Sequence, residues 1–217
     1  LLYDDTVDTT IAALRPSLDA RSVIVDHTTN LPARTATRSE TLAAADVAYL
    51  HAPVFMSPAA ARAAKGMMLV AGAQEIFDRM SDHLQPMTGN LWYVGERPDL
   101  AAAYKLFGNA MLLVMAGGLA DVFHLADALD VPRADALGLF ERFKIEPGLK
   151  ARGAKIVEED FTASFTLETA RKDVRLMLES SDGEPAPLLR AVAGRMDELM
   201  AKGLGDLDMA VLAKRGV

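Results

Sequence analysis

Between Asp99 and Asp121 a single side chain is charged at neutral pH, Lys105, in a run otherwise built of Ala, Leu, Met, Phe, Gly, Val, Tyr and Asn. A lysine in apolar surroundings loses hydration of its ammonium, so its pKa falls toward the range useful for proton transfer. Asn109 follows four residues later, which on a helix places both polar groups on one face. Gly108 beside it lets another backbone or a ligand come close. The same residues also fit a lysine that snorkels to solvent near a helix start, with the asparagine bonded to a neighbouring loop.

Two further clusters could carry chemistry. Lys172-Asp173 lies in a helix whose apolar positions Phe165, Leu176 and Leu178 mark a buried side. By themselves Arg171, Lys172 and Asp173 read as a solvated charged turn. Asp26-His27-Thr28-Thr29 follows a short β-branched run. In an open parallel sheet, ligands lie beyond the carboxyl ends of strands, and an ordinary helix N-cap fits the same residues. His27, His51, His83 and His124 are far apart, so no metal site is expected. Gly-x-Ser-x-Gly, Gly-x-x-x-x-Gly-Lys and Gly-x-Gly-x-x-Gly are all absent from the 217 residues.

The elements that must position these groups follow from the pattern. Strands are expected at 23–25, 47–50, 66–71 and 91–94, with helices at 32–45, 59–64 and 74–83 between them. Strands separated by such helices predict a mainly parallel sheet with crossovers. From Pro98-Asp99 to about Leu129 only glycines interrupt a long helix. Further helices are expected at 133–143, 147–157, 165–181, 186–202 and 207–214. The expectation is an α/β domain over residues 1–96 and an all-α domain over 97–217, joined by the long helix.

Composition narrows the classes. With 51% hydrophobic and 24% charged residues the chain is that of a folded domain, and with no Cys it has neither disulfides nor thiolate sites. Its net charge of −7 argues against a broad phosphate-binding face, hence against a nucleic-acid partner. Asp4, Asp5 and Asp8 stand where a secretory signal needs basic and apolar segments, so a cytoplasmic protein is expected. The stretch from Leu100 to Ala120 is long enough for a bilayer. It holds Lys105 and Asn109, contains three glycines and runs into Asp121, so a buried helix is expected and no membrane partner. Opening Leu1-Leu2-Tyr3 without Met, the chain is expected to be part of a longer product.

Four stretches in this order resemble the β-hydroxyacid dehydrogenase family, the 3-hydroxyisobutyrate dehydrogenase type of the 6-phosphogluconate dehydrogenase superfamily. They are Val25 to Pro32, His51-Ala52-Pro53-Val54, Gly95 through Lys105 and Asn109, and Phe165 through Lys172-Asp173. The resemblance implies a Rossmann-like NAD(P)-binding domain, incomplete here, followed by an all-α substrate and dimerisation domain. It implies NAD or NADP as cofactor and a small-molecule substrate. A homodimer is expected because the long apolar helix and the helical half need more cover than about 120 residues provide. Lys105 would be the general acid/base, and Asn109 would hold the substrate and orient the lysine. Lys172 would approach the reacting end of the cofactor, with Phe165 lining that pocket. Thr29 would meet the nicotinamide side, the backbone at Leu2-Tyr3 would lie along the nucleotide, and Asp173 would join the substrate contacts.

Two departures change the expectation. The family's Ser-Gly-Gly carboxylate cradle is replaced by Phe55-Met56-Ser57, and the preceding Asp by His51. A bulkier or more apolar carbonyl substrate follows, with Ser57 taking part of the lost role. The family's glycine-rich loop belongs upstream of Leu1. The rivals are an imine reductase-like activity, against which retention of Lys105 argues, and a non-catalytic helical dimerisation module.

Overall fold

Alternation along Met67–Ala71 decides how the first half of the chain is layered. Successive strand side chains face opposite ways, so Met68 and Val70 join Leu50, Ala52 and Leu84 in one buried cluster. Leu69 and Ala71 join Ala101 in another. The computed structural model describes residues 1–181 and 183–217. They form two compact units, Leu1–Leu112 and Leu113–Val217.

The first unit contains α1 (Asp4–Leu14), β1 (Val23–Asp26), α2 (Pro32–Ala43), β2 (Ala48–His51), β3 (Val54–Phe55) and α3 (Pro58–Arg62). It continues with β4 (Met67–Ala71), α4 (Gln74–Leu84), β5 (Asn90–Gly95) and the start of α5 (Leu100–Ala128). The sheet runs β1-β2-β4-β3, with β5 also paired to β4. It is Rossmann-like but mixed rather than mainly parallel. β1 pairs β2 and β4 pairs β5 in parallel, whereas β4 runs antiparallel to β2 at His51–Ala71 and to β3 at Val54–Met68. A parallel return needs a crossover of a dozen or more residues, usually a helix. The 21 residues between β1 and β2 and the 18 between β4 and β5, carrying α2 and α4, supply it; the 11 between β3 and β4, with only the short α3, do not, so the chain doubles back.

Helix α1 is absent from the sequence expectation. Val7 and Ile11, one turn apart, bury against Leu42 and Tyr49. Asp4 and Asp8, also one turn apart, face Arg34 and Arg38 on α2. Arg38 donates from Nε to Asp8 at 2.6 Å and from Nη2 to Asp4 at 3.0 Å, and Arg34 pairs with Asp5 at 2.6 Å and with Asp8.

The buried character expected for the long apolar helix needs correcting. Phe107, Met111, Leu112, Leu113, Val114 and Met115 on α5 are exposed, Leu113 to 73%. Among the described residues α5 is the one helix long and apolar enough to cross a membrane. An apolar run reports that a surface needs cover, not which surface covers it.

The second unit is helical: the remainder of α5, then α6 (Arg133–Arg142), α7 (Glu146–Val157), α8 (Leu167–Ser180), α9 (Pro187–Ala201) and a 3₁₀ turn at Met209–Ala213. Leu167, Ala170 and Val174 form one stripe, which packs on Ala193, Met196, Leu199 and Val211. Buried Asp121 on α5 accepts the backbone N–H of Leu189 at 2.8 Å, capping the start of α9, where Pro187 lacks an N–H.

Candidate active site

Lys105 projects from the second turn of α5 toward β3. Its Nζ donates to the Val54 carbonyl at 2.7 Å and stands 4.1 Å from the centre of the Phe55 ring. The side chain is half-buried, and that burial lowers its pKa below the ordinary lysine value of 10.5. A single N–H···O contact leaves ammonium hydrogens free for another acceptor. Asn109, one turn further, is half-buried and its amide makes no hydrogen bond among the described residues.

Gly108 explains how the ring fits. A Cβ at this position would lie 2.3 Å from Phe55 Cζ, far inside van der Waals contact. Phe55 is therefore the close approach that the glycine permits. Its role was invisible in the sequence beyond the fact that an aromatic ring stands where a polar cradle was expected.

At the carboxyl end of β1, Asp26 organises the following loop from below. Its Oδ1 accepts from Thr28 N at 2.9 Å and Thr28 Oγ1 at 2.5 Å, and its Oδ2 accepts from Asn30 Nδ2 and Tyr49 OH, each at 2.9 Å. Burial pushes the Asp26 carboxyl upward, but His51 and the two Thr28 donors outweigh it and hold the group well below the usual carboxylate range. Arg38 Nη1 lies 3.6 Å from Asp26 Oδ2. Among the described residues Arg38 Nη1 and His51 Nε2 are buried without a hydrogen-bond partner. These contacts correct the expected cap: Thr28 and Asn30 turn inward, and no side chain caps α2, whose N-cap residue is Leu31. Thr29 and His27 remain exposed. The His27 Nδ1 lies 2.7 Å from the Ala52 carbonyl oxygen.

The other expected residues are placed as follows. Ser57 caps α3, its Oγ accepting from Ala60 N at 3.1 Å. Leu2 and Tyr3 are exposed, and the Tyr3 carbonyl accepts from Thr6 and Val7 at the start of α1. In the second unit Lys172 is an exposed residue paired with Asp173 at 2.8 Å. Phe165 packs on that unit's core, and buried Asp208 holds its loop by accepting from Ser164 N, Ser164 Oγ and Phe165 N.

Residues 1–95 match the NAD binding domain of 6-phosphogluconate dehydrogenase. The uncharacterized oxidoreductase YfjR of Bacillus subtilis (strain 168) is 28% identical over 183 residues, 81% of this chain and 64% of that protein. The 2-(hydroxymethyl)glutarate dehydrogenase of Eubacterium barkeri is 25% identical over 199 residues, 90% of this chain and 66% of that protein. The chain thus spans just under two thirds of the length of these curated relatives. Among solved structures, a variant imine reductase from Myxococcus stipitatus in complex with NAD+ superposes with a TM-score of 0.84 at 17% identity, covering 99% of this chain and 76% of that one. That likeness is one of fold.

Proposed function

We propose, for a chain whose residues 1–95 match the NAD binding domain of 6-phosphogluconate dehydrogenase, that it works within an NAD(P)-dependent oxidoreductase interconverting an alcohol and its carbonyl compound. One observation carries this: a half-buried lysine with a lowered pKa is anchored to a strand-edge carbonyl, and one turn away an asparagine amide makes no hydrogen bond among the described residues. In reduction the Lys105 ammonium gives a proton to the carbonyl oxygen, and in oxidation the neutral amine takes it back. Asn109 fixes the substrate relative to Nζ. A bound nicotinamide supplies or accepts the hydride.

The donor set fits such a nucleotide. The exposed Thr29 hydroxyl lies beyond the carboxyl end of β1, where open α/β sheets take their ligands. Beside Lys105, the Phe55 ring offers no polar side-chain atom for a carboxylate. A bulkier or less charged carbonyl compound therefore suits the site better than a small 3-hydroxy acid. A homodimer, through the exposed apolar residues of α5, completes the proposal.

The test uses the full-length protein. NADPH and NADH are titrated by fluorescence, and ketones and cyclic imines are offered with each cofactor. Binding of a cofactor and turnover of ketones is expected. Turnover of imines alone favours the imine reductase-like alternative, and binding of neither cofactor overturns the proposal.

A further inference from the structure

The segment Ala52–Val54 joins β2 to β3 and carries contacts on both edges. Ala52 N donates to the Asp26 carbonyl on the β1 side at 2.7 Å, and the Pro53 carbonyl accepts from Leu69 N on the β4 side at 3.0 Å. In an extended segment alternate carbonyls point the same way, so those of Ala52 and Val54 share the edge turned away from β4, about 7 Å apart. Each holds one side chain: His27 Nδ1 at Ala52 and Lys105 Nζ at Val54, both at 2.7 Å.

The chemistry of the two groups differs. A carbonyl oxygen only accepts, so Nδ1 of His27 carries the proton, and in the neutral ring Nε2 is left as an acceptor. A lysine ammonium only donates. One backbone edge therefore holds a donor and an acceptor on alternate carbonyls. Phe55, whose ring lies beneath Lys105 Nζ, adds apolar surface beside it.

We propose that His27 is a specificity-determining residue, its Nε2 accepting a hydrogen bond from a hydroxyl on the substrate while Lys105 engages the reacting carbonyl. This rests on the oxidoreductase proposal and narrows its substrate class to hydroxy ketones or hydroxy aldehydes. A carboxylate has no hydrogen to offer Nε2, and a methyl ether has none either.

The experiment compares hydroxyacetone with methoxyacetone, and 4-hydroxybutan-2-one with 4-methoxybutan-2-one, on the full-length protein and its His27→Phe and His27→Gln variants. The wild type is expected to prefer the hydroxyl member of at least one pair tenfold or more in kcat/KM, expressed mainly in KM. His27→Phe is expected to bring that preference within threefold without changing NADPH affinity. His27→Gln, which keeps a donor and an acceptor, restores part of it. Long-range ¹H–¹⁵N correlation of the imidazole is expected to show the Nδ1–H tautomer. An Nε2–H tautomer, an equal preference in the wild type, or an unchanged preference in His27→Phe overturns the assignment while leaving the oxidoreductase proposal standing. A protein that neither binds NADPH nor reduces any ketone overturns both.

Discussion

Phe55 and Gly108 meet so closely that a single added carbon at 108 would fall 2.3 Å from the ring. The ring in turn lies 4.1 Å beneath Lys105 Nζ, so the seat of the lysine depends on a residue that has no side chain. In a free helix, Gly→Ala stabilises by about 1 kcal/mol. Here the displaced ring is expected to offset or exceed that gain, since overpacking costs about 1–3 kcal/mol. Gly108→Ala should therefore leave the wild type no more stable, yet stabilise a Phe55→Ala background. Urea midpoints of the four proteins check the reversal, and the same sign in both backgrounds would refute the contact.

Lys105→Ala is expected to lower kcat about 10²- to 10⁴-fold, the usual worth of a positioned acid/base, while circular dichroism and thermal midpoint stay close to the wild type. Steady-state kinetics on the best ketone decide it. Equal turnover removes Lys105 from the chemistry.

Burial lowers the Lys105 pKa in the folded protein, which fixes the sign of its effect on stability. Below that folded value both states are charged and burial is fully costly. Between it and 10.5 the folded protein has lost a proton that the unfolded chain keeps, so stability rises with pH. Lys105→Met is expected to raise stability, by a margin that shrinks as pH climbs toward the ordinary lysine value. Denaturant midpoints across that range test it, and a margin independent of pH counts against it.

Asp26 works in the opposite window. Its carboxyl is held below the usual 3.8, so its contribution is present above that value and is lost as pH falls through the folded one. Asp26→Asn is expected to cost about 3 kcal/mol at neutral pH, the scale for breaking a buried charged network. It should also flatten the acid limb of the stability profile. A loss under about 0.5 kcal/mol would show that Asp26 does not organise the loop.

Leu113, on the exposed face of α5, is expected to lie in the proposed homodimer interface. Leu113→Glu should shift the protein toward monomer in light scattering coupled to gel filtration. A wild type that is monomeric at micromolar concentration would discard the dimer.

How much of this was legible beforehand varies with the kind of interaction. Most helices and strands could be read because periodicity and Pro or Gly punctuation are local. Helix α1 escaped because its threonine-rich stretch has weak helical preference, and its case rests on Asp4 and Asp8 meeting Arg34 and Arg38, about 30 residues away. β3 is two residues long and exists only through pairing with β4. The antiparallel return through the short α3 reads in the sequence as a parallel crossover, because strand direction is a property of pairs.

By itself the sequence determined that an isolated lysine and an asparagine one turn on share a helix face, that Gly108 leaves room beside them, and that an Asp-His-Thr-Thr turn follows a strand. Those are consequences of side-chain type and spacing along one chain. Tertiary structure alone decided that Phe55 fills the space at Gly108, that Thr28 and Asn30 turn inward to Asp26 instead of capping α2, and that His27 and Lys105 dock on one strand edge. Each of these joins residues that lie far apart in the chain or competes with a local alternative, and only packing in three dimensions selects between them.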